Sequence, residues 1–352
     1  MTIVMNGAYT NAGVYRVLTR ITHSTTTACG CVGFGGLHNH ESRRDRVQDV
    51  MTHLLMITSL ICCGLNSLVL AADVPDKDSA QFAVPTRSDR IGRIVIPVRL
   101  NDRGPFLLML DTGATHSVIT KGTAQQLDVD LGAAENSSVQ GVMGRVIAPV
   151  ARISELRAGS LKLHDLTMPI IDSAIVTELD GILGAEGLMN KVVTADFIND
   201  RIRISDSTGQ RPVRSYGIIK FDLVSHRLIV VDAMVGRFPV RAVIDTGGSE
   251  TIGNLPLLKM LSGGTRSIDS ESASNLIDVT NTTRGGRVFL VPRIKLDAAN
   301  ITNAAIVAGD FEIFRVWKLD QSPALLIGMD VLGQLGELSI DYKRQELWIL
   351  ER

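Results

Sequence analysis

Beyond residue 90 the chain alternates short apolar runs with polar, glycine-bearing turns, and the runs recur in the same order. Arg93–Leu100 (RIVIPVRL) has the alternation and β-branched content of a strand. Asn101-Asp102-Arg103-Gly104-Pro105 then reads as a turn, and FLLMLDTGATHSVIT from Phe106 as a second strand ending in Asp111-Thr112-Gly113-Ala114. From Arg227 the order repeats: RLIVVDAMV as a strand, a turn at Gly236-Arg237, then FPVRAVIDTGGSETIGN carrying Asp245-Thr246-Gly247-Gly248. Helical periodicity is confined to short pieces at Thr123–Leu127 and Leu255–Leu261. The predicted fold class is all-β, in two similar lobes.

The correspondence extends downstream. Polar glycine turns follow at Val139–Val146, with Gly141 and Gly144, and at Thr283–Val288, with Gly285 and Gly286. Apolar segments closing on glycine come next, Asp180–Gly184 and Leu325–Asp330 with Gly328, and each half ends in a predicted hairpin around Asp196 or Asp341. Landmarks in one order point to an internal duplication. Thr208–Ser215, rich in turn formers and charge, is the natural boundary. The predicted lobes are residues 90–207 and 216–352, joined by a linker at 208–215.

The amino-terminal part differs. Residues 54–72 (LLMITSLICCGLNSLVLAA) carry no charge, follow Arg43, Arg44 and Arg46, and precede the polar stretch 73–79. Residues 1–72 therefore read as an extension plus an export signal or membrane anchor, with cleavage after Ala71-Ala72 the favoured form. Met51 stands directly before the apolar run and is an alternative start. Neither Cys62 nor Cys63 follows the small residue a lipid-attachment site wants. Cys29, Cys31, His38 and His40 match no zinc spacing. The predicted location is exported, periplasmic or secreted, with anchoring through 54–72 as the variant.

Composition narrows the function classes. Of 352 residues 45% are hydrophobic and 21% charged, which excludes disorder as the main state. Lys plus Arg number 36 against 37 Asp plus Glu, with no basic block, so nucleic acid is not a predicted partner. All four cysteines lie in the first 63 residues, leaving the lobes no disulfide framework and no thiol nucleophile. No Gly-x-Ser-x-Gly and no His-Glu-x-x-His occurs, so nothing directs His116, His164 or His226 towards a serine or metal hydrolase. No metal or cofactor is predicted.

The candidate chemistry lies in the paired Asp-Thr-Gly segments. One such tripeptide arises by chance about once in twenty chains of this length. Two at equivalent points of a repeat, each after an apolar strand, carry far more weight. A carboxylate at the end of a buried strand needs hydrogen bonds, and Gly113 and Gly247 let backbone N–H groups approach. If the lobes face each other, Thr112 and Thr246 can each send a hydroxyl across to the opposite loop. Two carboxyls about 3 Å apart share one proton and titrate as a pair. Such a pair can activate water against an amide carbonyl without a covalent intermediate.

The segments LLMLDTGATHSVIT with DGILG, and AVIDTGGSETIGN with LLIGMD, resemble the retropepsin-type aspartic proteases, in the two-lobe, single-chain form of bacterial aspartyl protease family proteins. The resemblance runs from about Arg90 to Arg352. It implies β-barrel lobes related by a pseudo-twofold with the cleft between them, a polypeptide substrate and a monomer. It implies that Asp111 and Asp245 form the catalytic pair, supported by Thr112, Gly113, Thr246 and Gly247. Gly184 and Gly328 would lie close behind the active-site loops, and the segments of Gly141–Gly144 and Gly285–Gly286 would be flap hairpins. Departures are Gly248, where the family usually has Ala or Ser, and Gly253-Asn254 in place of Ile119-Thr120, which predict a looser second loop. Neither predicted flap contains a tyrosine. The alternative is a non-catalytic module of the same fold that binds an extended peptide by strand addition.

Overall fold

The computed structural model describes residues 80–83, 92–130, 135–212, 216–224, 227–263, 273–297 and 299–352. The signal or anchor, Met51, the upstream Cys and His residues, His226 and the end of the linker at 213–215 lie outside the described residues. Those from Ala80 onward belong to one compact unit, and no helix among the described residues is long and apolar enough to cross a membrane.

After β1 (Ala80–Ala83), the first lobe comprises β2 (Val95–Leu100), β3 (Arg103–Leu110), β4 (Val118–Thr120), α1 (Lys121–Gln126), β5 (Asn136–Gln140), β6 (Arg145–Ala158), β7 (Leu161–Ile171) and β8 (Gly181–Leu183). It is followed by the hairpin β9 (Lys191–Asp196) and β10 (Arg201–Asp206). The second half comprises β11 (Gly217–Lys220), β12 (Asp222–Val224), β13 (Leu228–Val235), β14 (Phe238–Ile244), β15 (Ile252–Gly253), α2 (Leu255–Ser262), β16 (Ala273–Ile277), β17 (Thr283–Leu296) and β18 (Ala299–Ala308). Then come α3 (Glu312–Val316), β19 (Ala324–Ile327), α4 (Met329–Leu332) and the hairpin β20 (Glu337–Asp341) and β21 (Glu346–Leu350).

The two lobes share one strand order. In the first it is β2-β3-β8-β4-β7-β6-β5, closed by a β2–β6 pairing. In the second, β13-β14-β19-β15-β18-β17-β16 is closed by β13–β17, with β12 added at one edge. Closure removes free sheet edges from each core. The lobes are joined by a third sheet, β1-β10-β9-β20-β21-β11, in which β9 and β20 pair antiparallel with Val193 opposite Ile340.

The central strands explain the apolar runs. β8 lies between β3 and β4, parallel to the first with Leu110 opposite Leu183, and antiparallel to the second with Val118 opposite Ile182. β19 is inserted likewise between β14 and β15, with Ile244 opposite Ile327 and Ile252 opposite Leu326. Strands covered on both faces have no solvent side, so Leu108-Met109-Leu110 and Ala242-Val243-Ile244 are all buried and do not alternate.

The helices start where capping chemistry permits. Thr120 accepts from the Thr123 N–H and Asn254 from the Leu257 N–H, each through its side chain. The short helices α3 and α4 lie outside the predicted helical pieces; at four or five residues neither shows a helical period in sequence. One turn is corrected. Gly285 and Gly286 lie within β17, opposite Asn275 and Ser274, and the turn of that hairpin is Asp278–Thr282. The glycine signal there reflects packing, because a Cβ on Gly286 would come within 2.5 Å of Val307 Cγ1 and 3.2 Å of Phe311 Cζ. The turn itself is made by the Asp278 side chain and by Asn281 at φ 59°.

Candidate active site

Asp111 and Asp245 stand one residue beyond the buried ends of β3 and β14, their N–H groups tied to Leu183 O and Ile327 O at 3.0 Å each. Both side chains have 0% exposure. Asp111 Oδ1 accepts from the Gly113 and Ala114 N–H groups at 2.8 Å, and Asp245 Oδ1 accepts from the Gly247 N–H at 2.8 Å. The first loop thus gives its carboxylate two backbone donors and the second gives one.

Each carboxyl rests on the opposite loop's glycine. A Cβ on Gly113 would lie 2.8 Å from Asp245 Cγ, and one on Gly247 would lie 2.2 Å from Asp111 Cγ. Glycine is required because any side chain would occupy the carboxyl's space. The Oδ2 atoms of both aspartates are buried and have no hydrogen-bond partner in the protein. Burial first, then the charge of Asp111, push the Asp245 carboxyl well above the usual carboxylate range.

The threonines fix this approach. Thr112 Oγ1 donates to Ile244 O at 2.7 Å and accepts from the Thr246 N–H at 3.0 Å. Thr246 Oγ1 donates to Leu110 O at 2.9 Å and accepts from the Thr112 N–H at 3.2 Å. The four bonds run between lobes, and both side chains are buried.

Gly184 and Gly328 sit behind the two loops. A Cβ on either would come within 2.6 Å of backbone, His116 C in one lobe and Glu250 O in the other. Their N–H groups donate to Ser117 Oγ at 3.1 Å and Thr251 Oγ1 at 3.2 Å. The lobes differ in what lies alongside. In the first, Glu186 accepts from the Ser117 N–H at 2.8 Å and meets His116 Nδ1 at 3.1 Å. Burial works to raise the Glu186 pKa, but these hydrogen bonds outweigh it and hold the carboxyl below its ordinary range. In the second, Asp330 accepts from Thr251 Oγ1 at 2.8 Å and has Glu250 as its charged neighbour. Burial, then the Asp330 charge, raise Glu250 to about 7, and burial raises Asp330 to about 6.

Of the predicted flap glycines, Gly141 and Gly144 form the tip of the β5–β6 hairpin, with the Gly141 N–H donating to Gly144 O at 2.7 Å. Gly285 and Gly286 belong to the matching β16–β17 hairpin but lie along its strand. Its tip residue Asp278, buried and facing the first lobe's tip, was missed in sequence; the signal available was the turn-forming run Asp278-Val279-Thr280-Asn281. Tyr342 is buried away from both tips, against Phe221, and Tyr216 donates to Glu337. Among the described residues no three His, Cys, Asp or Glu side chains gather into a metal site. A surface groove of about 950 Å³ between β11, β13 and β14, lined by Ile219, Met234, Pro239 and Arg241, contains none of the predicted site residues.

The fold and site define a two-lobed β protein with a buried carboxylate pair where its lobes meet. Residues 96–186, from β2 through the loop after β8, match the family model Asp_protease_2, aspartyl protease. The match includes Asp111, Thr112, Gly113, Gly141, Gly144 and Gly184, and supports an aspartic protease family and a hydrolase of that kind. No curated protein matches the chain.

Proposed function

We propose that this chain is an aspartic endopeptidase, monomeric and exported, in which Asp111 and Asp245 activate water against a peptide bond. The observation that carries this reading is the seating of two buried carboxyls on each other's loop glycines, with Oδ2 of each unpartnered. A pair so close holds one proton between them at working pH. The ionised carboxylate takes a proton from water as the water oxygen bonds to the carbonyl carbon, while the protonated carboxyl gives its proton to the carbonyl oxygen. The tetrahedral diol then collapses: the C–N bond breaks, one hydroxyl returns its proton to the pair, and the leaving nitrogen receives a proton. The matching strand order of the lobes supports a duplicated origin, and the presence of both aspartates in one chain supports action as a monomer. The uncharged run at 54–72 supports export, by a cleaved signal or a retained anchor.

The test is digestion of denatured protein substrates by the purified protein across about pH 3 to 7, the range a shared-proton pair spans. Cleavage is abolished by Asp111→Asn and by Asp245→Asn, and it declines as rising pH removes the proton that the raised Asp245 pKa retains. Wild-type cleavage untouched by either substitution refutes the reading. A non-catalytic peptide-binding module is the second reading, favoured by the single backbone donor to Asp245 against two for Asp111. Calorimetric peptide binding with no product by mass spectrometry would select it.

A further inference from the structure

The two hairpin tips meet between the lobes and exchange side chains. Val142 and Met143, from the first lobe's tip, are buried among Leu276, Phe311, Ile313 and Phe314 of the second. Val279, from the second lobe's tip, is buried among Met109, Val118, Ile175 and Ile182 of the first. Each tip thus completes the other lobe's apolar core.

A single carboxylate joins them. Asp278 has 0% exposure. Its Oδ1 holds its own turn, accepting from the Thr280 N–H at 2.9 Å, Thr280 Oγ1 at 2.5 Å and the Thr282 N–H at 3.3 Å. Its Oδ2 crosses between lobes and accepts from the Met143 N–H at 2.7 Å. Gly141 makes room, since a Cβ there would lie 2.3 Å from that oxygen. Two neighbouring seams run the same way. Asn281 Oδ1 accepts from the Ala174 N–H at 3.0 Å while its Nδ2 donates to Asp172 O at 2.9 Å, and the Ile313 N–H donates to Val142 O at 3.0 Å. Both aspartates are sealed from solvent while the tips are joined in this way.

We propose that Asp278 is an interlobe latch: with no substrate bound, its carboxylate holds the Met143 N–H and locks the two hairpins shut over Asp111 and Asp245, and a peptide enters only when that bond is released. A carboxylate acceptor for a buried N–H is the strongest of the three polar seams, and of the two made by a side chain, Asp278 and Asn281, it alone reaches the first lobe's hairpin tip. The kinetic part of the proposal rests on the endopeptidase reading, whereas the latch itself does not.

The experiment uses the full chain without ligand, compared with Asp278→Ala and Asp278→Asn. Amide hydrogen exchange is followed at Met143, with β3 and β14 as internal references. The Met143 amide exchanges about tenfold faster in Asp278→Ala, with the reference strands unchanged. Asp278→Asn, which keeps an acceptor oxygen but loses the charge, falls between. Binding of a statine-type peptide, followed by stopped flow, shows an association rate several-fold higher in Asp278→Ala. Unchanged Met143 exchange in both variants overturns the latch, and so does faster exchange with an unchanged association rate. If Asp278→Ala loses the fold, Asp278→Asn decides by the same two readouts. A wild-type protein that shows the protected Met143 amide but binds no statine peptide counts against the endopeptidase reading and leaves the latch standing on exchange.

Discussion

Replacing Thr246 by valine tests the central contact with almost no change of shape. The substitution deletes one hydroxyl that serves two buried backbone groups of the other lobe: it donates to Leu110 O and accepts from the Thr112 N–H. Each group deprived of its partner in a buried site costs about 1–3 kcal/mol, so the single change costs about 2–6 kcal/mol. For a protein whose net stability is of order 5–15 kcal/mol, that is a large fraction. Thr112→Val removes the mirror pair, to Ile244 O and from the Thr246 N–H, and costs a similar amount. The double variant costs less than the sum, because loops no longer tied together can separate enough for water to reach the deprived groups. Thr246→Ser keeps the hydroxyl and stays within about 1 kcal/mol of wild type, the loss being one buried methyl. Urea unfolding followed by tryptophan fluorescence measures each value, since Trp348 lies buried in β21 of the sheet that joins the lobes. A Thr246→Val protein within about 0.5 kcal/mol of wild type would refute the argument, because no relaxation that leaves the loops in contact can satisfy both groups.

Other consequences follow from the same geometry. Gly247→Ala drives a methyl to within 2.2 Å of Asp111 Cγ; it abolishes cleavage and lowers stability by about 1–3 kcal/mol, read by digestion assay and urea unfolding. Gly122→Ala, in α1 with its nearest neighbour atom 3.8 Å away, is the control: it raises stability by about 0.5–1 kcal/mol and leaves cleavage unchanged. The pair Glu250 and Asp330 makes stability pH-dependent. Both hold their protons to higher pH folded than unfolded, about 7 and about 6, so their contribution is full below the ordinary carboxyl range and is lost as pH rises through those values. After allowance for partial exposure and for coupling within the pair, the loss is on the order of 2 kcal/mol, and Glu250→Gln flattens it in melts recorded across that range. Glu186 acts in the opposite sense: its lowered pKa gives stability that is present above the ordinary Glu range and lost as pH falls. His116→Ala reduces that acid-side dependence in the same melts.

Much of this protein was legible before any fold was known, because the signals are local. Uninterrupted apolar triplets such as Leu108-Met109-Leu110 announce strands, and an aspartate followed by Thr-Gly needs a strand end where backbone donors can reach it. The hairpins around Asp196 and Asp341 and the short helical pieces at Thr123–Leu127 and Leu255–Leu261 were legible for the same reason, since turn residues and helical spacing act within a few positions, although the first helix begins two residues earlier, at Lys121. Gly285 and Gly286 misled because a glycine that spares a cross-strand clash looks, in sequence, like one that bends a turn. Only Val307 and Phe311, more than twenty residues away, tell the two apart.

Amino-acid order alone determined the two acidic loops, their glycines and threonines, and the repeat that makes them partners. Tertiary structure decided what faces what: that Gly113 lies under Asp245 and Gly247 under Asp111, that Glu250 has Asp330 for a neighbour where His116 has Glu186, and that Asp278 reaches the other lobe's Met143 N–H. These contacts join residues 70 to 136 positions apart, and their energies depend on distance and burial that arise only after both barrels close and dock. No local propensity carries that information.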